Sequence, residues 1–97
     1  MQYVLTLPED FEDYASEVQS KGWFSGATLL FAGKLYRLNF YDPVRLAQDV
    51  ESELEGQDTF FEPNVVVVRS VTRENMRNAV GALIDRGVAN LLAAEPK

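Results

Sequence analysis

The segment from Trp23 to Asp42 constrains the fold more than any other part of the chain. Over this stretch apolar side chains recur with a period of two, interrupted at Gly33-Lys34, a pair that suits a two-residue hairpin turn. With Gly33 and Lys34 as the loop, Phe31 falls opposite Tyr36, Leu29 opposite Leu38 and Ala27 opposite Phe40, so one face of the hairpin is apolar throughout. The other face carries Thr28, Leu30, Ala32, Leu35, Arg37, Asn39 and Tyr41, a mixed surface of the kind that a sheet turns to water or to a partner. One face is expected to be core and the other open.

The flanking segments read as follows. Gln2 to Leu7 is short, apolar and β-prone, and it stops at Pro8. Thr6-Leu7-Pro8-Glu9 has capping-box spacing, and Phe11, Tyr14, Ala15 and Val18 then form one helical stripe that ends at Gly22. After the hairpin, Asp42-Pro43 is an N-cap followed by proline at the first helical position. Leu46, Ala47, Val50 and Leu54 make the stripe of that second helix, and Asp49, Glu51, Glu53 and Glu55 make an acidic outer face. A loop from Gln57 to Asn64 holds Phe60, Phe61 and Pro63. Val65 to Val68 then reads as a buried strand, four valines suggesting cover on both faces. Thr72 caps a third helix whose stripe is Met76, Ala79, Val80, Leu83 and Ile84, with Gly87 at its end. Val88 to Ala94 is read as a short added edge strand, although Val88, Leu91 and Leu92 also continue a helical period from Ile84.

The first six elements run β-α-β-β-α-β, the order of the ferredoxin-like split βαβ unit. The expected fold is therefore α+β: a single domain over residues 1–97, a ferredoxin-like βαββαβ sandwich with an added C-terminal helix and a short fifth strand. Another α+β sandwich with the same elements in a different strand order is the rival. At 97 residues, with no linker and no repeat, there is room for one core.

Composition removes much familiar chemistry. Cysteine and histidine are both absent, which excludes disulfides, thiolate and imidazole metal ligands, and the Ser-His-Asp and Cys-His constellations. No cofactor or metal is expected, and no catalytic residue stands out. Fifteen acids against nine bases give a net charge of -6, which argues against nucleic acid and against anionic membranes as partners. The opening apolar stretch, Tyr3 to Leu7, is too short for a signal segment, and no run approaches the roughly 20 apolar residues of a membrane span. The expected compartment is the cytoplasm.

The remaining candidates are surfaces. Leu30, Arg37 and Tyr41 share the open hairpin face and resemble binding hot spots in residue type. Phe60 and Phe61 are adjacent in a turn-rich loop, and at least one should fold onto the core. Glu51 and Glu55 mark the acidic helix face, which reads as a solvated surface or as a dock for a basic partner. Arg69, Arg73 and Arg77 form the one local concentration of positive charge, read first as pairing with nearby acids and otherwise as a site for an anion or an acidic partner. Glu9, Asp10, Glu12 and Asp13 suit a helix N-terminus without any metal. The leading expectation is a non-catalytic interaction or regulatory module, including self-association as a homodimer through the open sheet face. The alternative is a small-ligand binder or enzyme with a pocket between the sheet and the Phe60-Phe61 loop, resting on Lys34, Tyr36, Arg37, Tyr41 or Glu62.

Overall fold

The computed structural model describes residues 2–96. Its elements are β1 (Tyr3–Thr6), α1 (Phe11–Lys21), β2 (Trp23–Phe31), β3 (Lys34–Tyr41), α2 (Pro43–Gly56), β4 (Val65–Val67) and α3 (Arg73–Asp85), followed by a 3-10 turn at Ala89–Leu91. The four strands form one sheet in the order β1-β2-β3-β4, antiparallel except for the parallel β3-β4 pair. The mixed α+β class is thus present, but the ferredoxin-like strand order is not. In a split βαβ unit each helix joins parallel strands with another strand between them. Here β2 starts at Trp23, beyond Thr28 where β1 ends its pairing, so α1 closes on the same end of the sheet. That is the geometry an antiparallel neighbour requires, and only α2 crosses over between parallel strands.

The hairpin turns one residue earlier than expected. Ala32 and Gly33, with φ of 52° and 75°, are the central pair, and Phe31 lies opposite Lys34. Two positive φ values match a type I′ turn, whose twist fits that of the flanking strands, and this outweighs the cost of about 1 kcal/mol for placing alanine in the left-handed region. Leu29 therefore faces Tyr36 and Ala27 faces Leu38. The shift is two residues in register, so the faces stay as read. A bulge between Phe24 and Ala27 sets Ser25 and Gly26 against one residue of β3, which returns Phe24 to the same face as Ala27 and Leu29 despite their odd spacing.

That face is the core. Leu29, Leu38 and Phe40 from the sheet meet Phe11 of α1 and Met76 and Val80 of α3, all at 0% exposure. The Phe11 ring lies edge-on to Phe24, with centroids 5.2 Å apart. Truncating a side chain such as Phe40 to alanine in such a site costs about 4 kcal/mol. The caps read from sequence hold at two helices: the Arg45 amide donates to Asp42 Oδ1 at 2.7 Å, and the Asn75 amide to Thr72 Oγ1 at 3.1 Å. At α1 the Thr6-Glu9 capping box is not used. The Phe11 amide donates to the Pro8 carbonyl at 3.0 Å instead, and the helix starts after this turn.

The fifth strand is not formed. Gly87, at φ 69°, ends α3, and the chain then coils through the 3-10 turn. Beyond it the tail runs along β3 with one backbone bond, from the Glu95 amide to the Leu35 carbonyl at 2.7 Å. Asn64 fills the gap above β4. Its side-chain amide donates to the carbonyls of Arg37 and Ala93 and accepts from the Ala93 amide. A side chain thus bridges where a strand ladder was expected.

Candidate interaction surface

The second helix is amphipathic in sequence yet has no fully buried residue, with Leu46 and Val50 of its stripe only half-buried. None of the 14 residues of α2 is buried, whereas α1 and α3 each seat their stripe in the core. The crossover from β3 to β4 sets α2 over the sheet face that carries Val67, which is Tyr41's neighbour on β4. Its start is held by the Asp42 cap and by Arg45. That guanidinium donates to Asp49 Oδ1 at 2.9 Å and to the Lys21 carbonyl at 3.1 Å, and lies 5.7 Å from the centre of the Trp23 ring. Further along, Leu46, Val50 and Leu54 line a groove of about 650 Å³ whose sheet-side wall is Val67. Leu54 is 47% exposed and Val67 49%. Of the four valines Val68 is buried, but Val67 is not covered on both faces. Glu51 and Glu55, which directly follow Val50 and Leu54, also line this groove. The acidic face read from sequence thus includes two residues that rim the apolar stripe.

Beside it, the loop carrying Phe60 and Phe61 is tied down. The Tyr41 hydroxyl donates to Glu62 Oε2 at 2.7 Å and the Asn39 side chain to the Pro63 carbonyl at 2.8 Å. Phe60 is half-buried, as expected of one of the pair, and Phe61 is 84% exposed. The two grooves of about 560 and 650 Å³ are lined by other residues than Phe60 and Phe61. Tyr41 itself is 2% exposed and so is no surface hot spot. Burial, then the hydrogen bond to Glu62, push its hydroxyl pKa well above the usual tyrosine range.

Leu30 remains on the open sheet face, 48% exposed, between Val4 of β1 and Leu35 of β3. Arg37 lies on the neighbouring row opposite Thr28 and pairs with Glu95 at 2.5 Å. Arg73 and Arg77 line a second groove, of about 560 Å³, between α1 and α3, while Arg69 stands outside it. Glu12 and Glu74 line the same groove, and Arg73 already pairs with Glu12 at 2.6 Å. The three arginines therefore do not converge into one cationic site.

Among the described residues, no group of three or more Asp or Glu side chains is placed to hold a metal ion, and no helix is long and apolar enough to cross a membrane. Comparison of the chain with protein-family models, curated proteins and solved structures gives no match in any of the three. Sequence reasoning missed the contribution of Val67 and the openness of α2; the available signal was that glutamates directly follow two members of the α2 stripe.

Proposed function

We propose that this chain is a protein-interaction module without catalytic activity of its own, and that α2 is its docking element. The observation that carries this reading is a helix with a complete apolar stripe and no buried residue, lying open beside an edge strand. Exposed apolar surface that is contiguous and rimmed by polar groups marks interaction sites on soluble proteins. Phe61, exposed next to the anchored residues Glu62 and Pro63, adds an aromatic of the type that anchors interfaces.

A photo-crosslinking side chain placed at Leu54 tests this in the native cell, with one at Leu91 as a control. Leu91 is 79% exposed and equally apolar but lies outside the groove. The expected result is a discrete protein adduct at position 54 that disappears on adding Val50→Asp and is missing at position 91. The same diffuse products from both sites would remove the reading.

A second reading is favoured by a separate observation, the row of Val4, Leu30 and Leu35 across three strands of the open face, exposed by 56%, 48% and 43%. That row suits self-association as a homodimer. Sedimentation should then show a dimer that Leu30→Lys converts to monomer, and a wild-type monomer at high micromolar concentration would dismiss it.

A further inference from the structure

The net negative charge of this molecule is accounted for by one segment. Seven of the fifteen acids but one of the nine bases fall between Asp42 and Val68, so this segment carries the whole net charge of -6 and the rest of the chain balances. Several of the seven are occupied: Asp42 caps α2, Asp49 pairs with Arg45, Glu53 accepts from the Gln57 side chain, and Glu62 accepts from Tyr41. Glu51 and Glu55 are different, because they are exposed and line the apolar groove.

Their position is unfavourable for α2 itself. They are four residues apart on one helix, where like charges repel. Glu55 sits in the last turn and Glu51 in the turn before it, toward the negative end of the helix dipole, and no basic residue occupies that last turn. Water screens both exposed groups in part, and a cation placed along the groove would relieve both at once.

We infer that the groove takes a basic amphipathic helix of another protein, with apolar side chains seated on Leu46, Val50, Leu54 and Val67 and lysine or arginine beside Glu51 and Glu55. This inference rests on the reading of α2 as a docking element and names its partner. A second copy fits this groove poorly, since pairing α2 with α2 would set acid against acid. Nucleic acid and anionic lipid are repelled by the same rim. A helix suits the groove better than a strand. The α2 stripe from Pro43 to Glu55 runs about 18 Å, whereas β4 is 3 residues long and offers only a short edge for pairing.

The test uses three synthetic helices of about 18 residues, identical in apolar stripe and flanked by lysine, glutamine or glutamate. Affinity for the full-length protein is measured by calorimetry. A fourth peptide has the lysine composition with a central proline that forbids the helix. The lysine helix is expected to bind roughly tenfold more tightly than the glutamine helix, and the glutamate helix more weakly still. The lysine preference should shrink as salt rises from about 50 to 200 mM. Glu51→Lys with Glu55→Lys should erase the preference. Leu54→Asp, which makes the protein more acidic, should weaken the lysine helix nonetheless, because it spoils the apolar seat. Equal binding of the lysine and glutamine helices would overturn the charge inference while leaving α2 as a docking element. Equal binding of the proline peptide would overturn the helical partner. If Leu54→Asp left binding of every peptide unchanged, both the partner and the α2 reading would fall. Circular dichroism melts confirm that each variant is folded.

Discussion

Gly22 and Asp42 meet where the end of α1 abuts the start of α2. Gly22 has φ 74°, its amide donates to the Val18 carbonyl at 2.9 Å, and its carbonyl accepts from the Asp42 amide at 2.8 Å. A methyl group on Gly22 would collide with the Asp42 carboxylate that caps α2. Gly22→Ala is therefore expected to cost about 2 to 3 kcal/mol, the left-handed strain plus a lost cap. Gly33 has a similar φ of 75° but open space around it, so Gly33→Ala should cost about 1 kcal/mol. Urea unfolding of the two variants checks the difference, and equal costs would contradict the described contact. At Tyr41, phenylalanine removes the bond to Glu62 and should cost about 1 kcal/mol. Its pKa is raised in the folded state, so the folded protein favours the neutral phenol. That contribution is complete below the unfolded value of about 10 and is lost as pH rises above it. The alkaline fall in melting temperature should accordingly be shallower in Tyr41→Phe than in the wild type.

At the level of elements, α2 stands apart from α1 and α3. With no buried residue it should open more readily, and its amides beyond the first turn are expected to exchange hydrogen faster than those of α3. Replacing Glu51 and Glu55 with lysine should stabilise the isolated protein by roughly 0.5 to 1 kcal/mol, by reversing a helix-dipole clash, while the repulsion between the two positions is unchanged because the pair is still like-charged. Thermal melts read this directly, and a loss of stability would show that the two glutamates already have partners within the chain. The caps at Asp42 and Thr72 and the two faces of the hairpin were legible because each depends on local chemistry and on side-chain period. The strand order was not. Tyr3–Thr6 is a short apolar strand that can lie beside more than one neighbour, and chain order does not encode which. The tail misled for a related reason: Val88 to Ala94 has strand-like composition, but Asn64 supplies the bridge. The openness of α2 was equally hidden, since a stripe of Leu46, Val50 and Leu54 looks the same whether its own sheet or another protein covers it.

Across the whole molecule the sheet separates two kinds of surface. Its core face is covered by α1 and α3, and its other face holds the Val4-Leu30-Leu35 row at one end and the α2 groove at the other. The segment that builds the groove end, Asp42 to Val68, carries a net charge of -6. An acidic, half-open helix beside an edge strand is the part of this protein least explained by its own stability, which is why docking is assigned to it and not to the sheet row. The most direct measurement is a map of backbone amide chemical shifts during titration with the lysine-flanked amphipathic helix. Shifts concentrated at Leu46, Val50, Leu54 and Val67, with Val4, Leu30 and Leu35 unmoved, are expected. Shifts spread over the acids of α1, or centred on the sheet row, would contradict the assignment of α2 as the docking element.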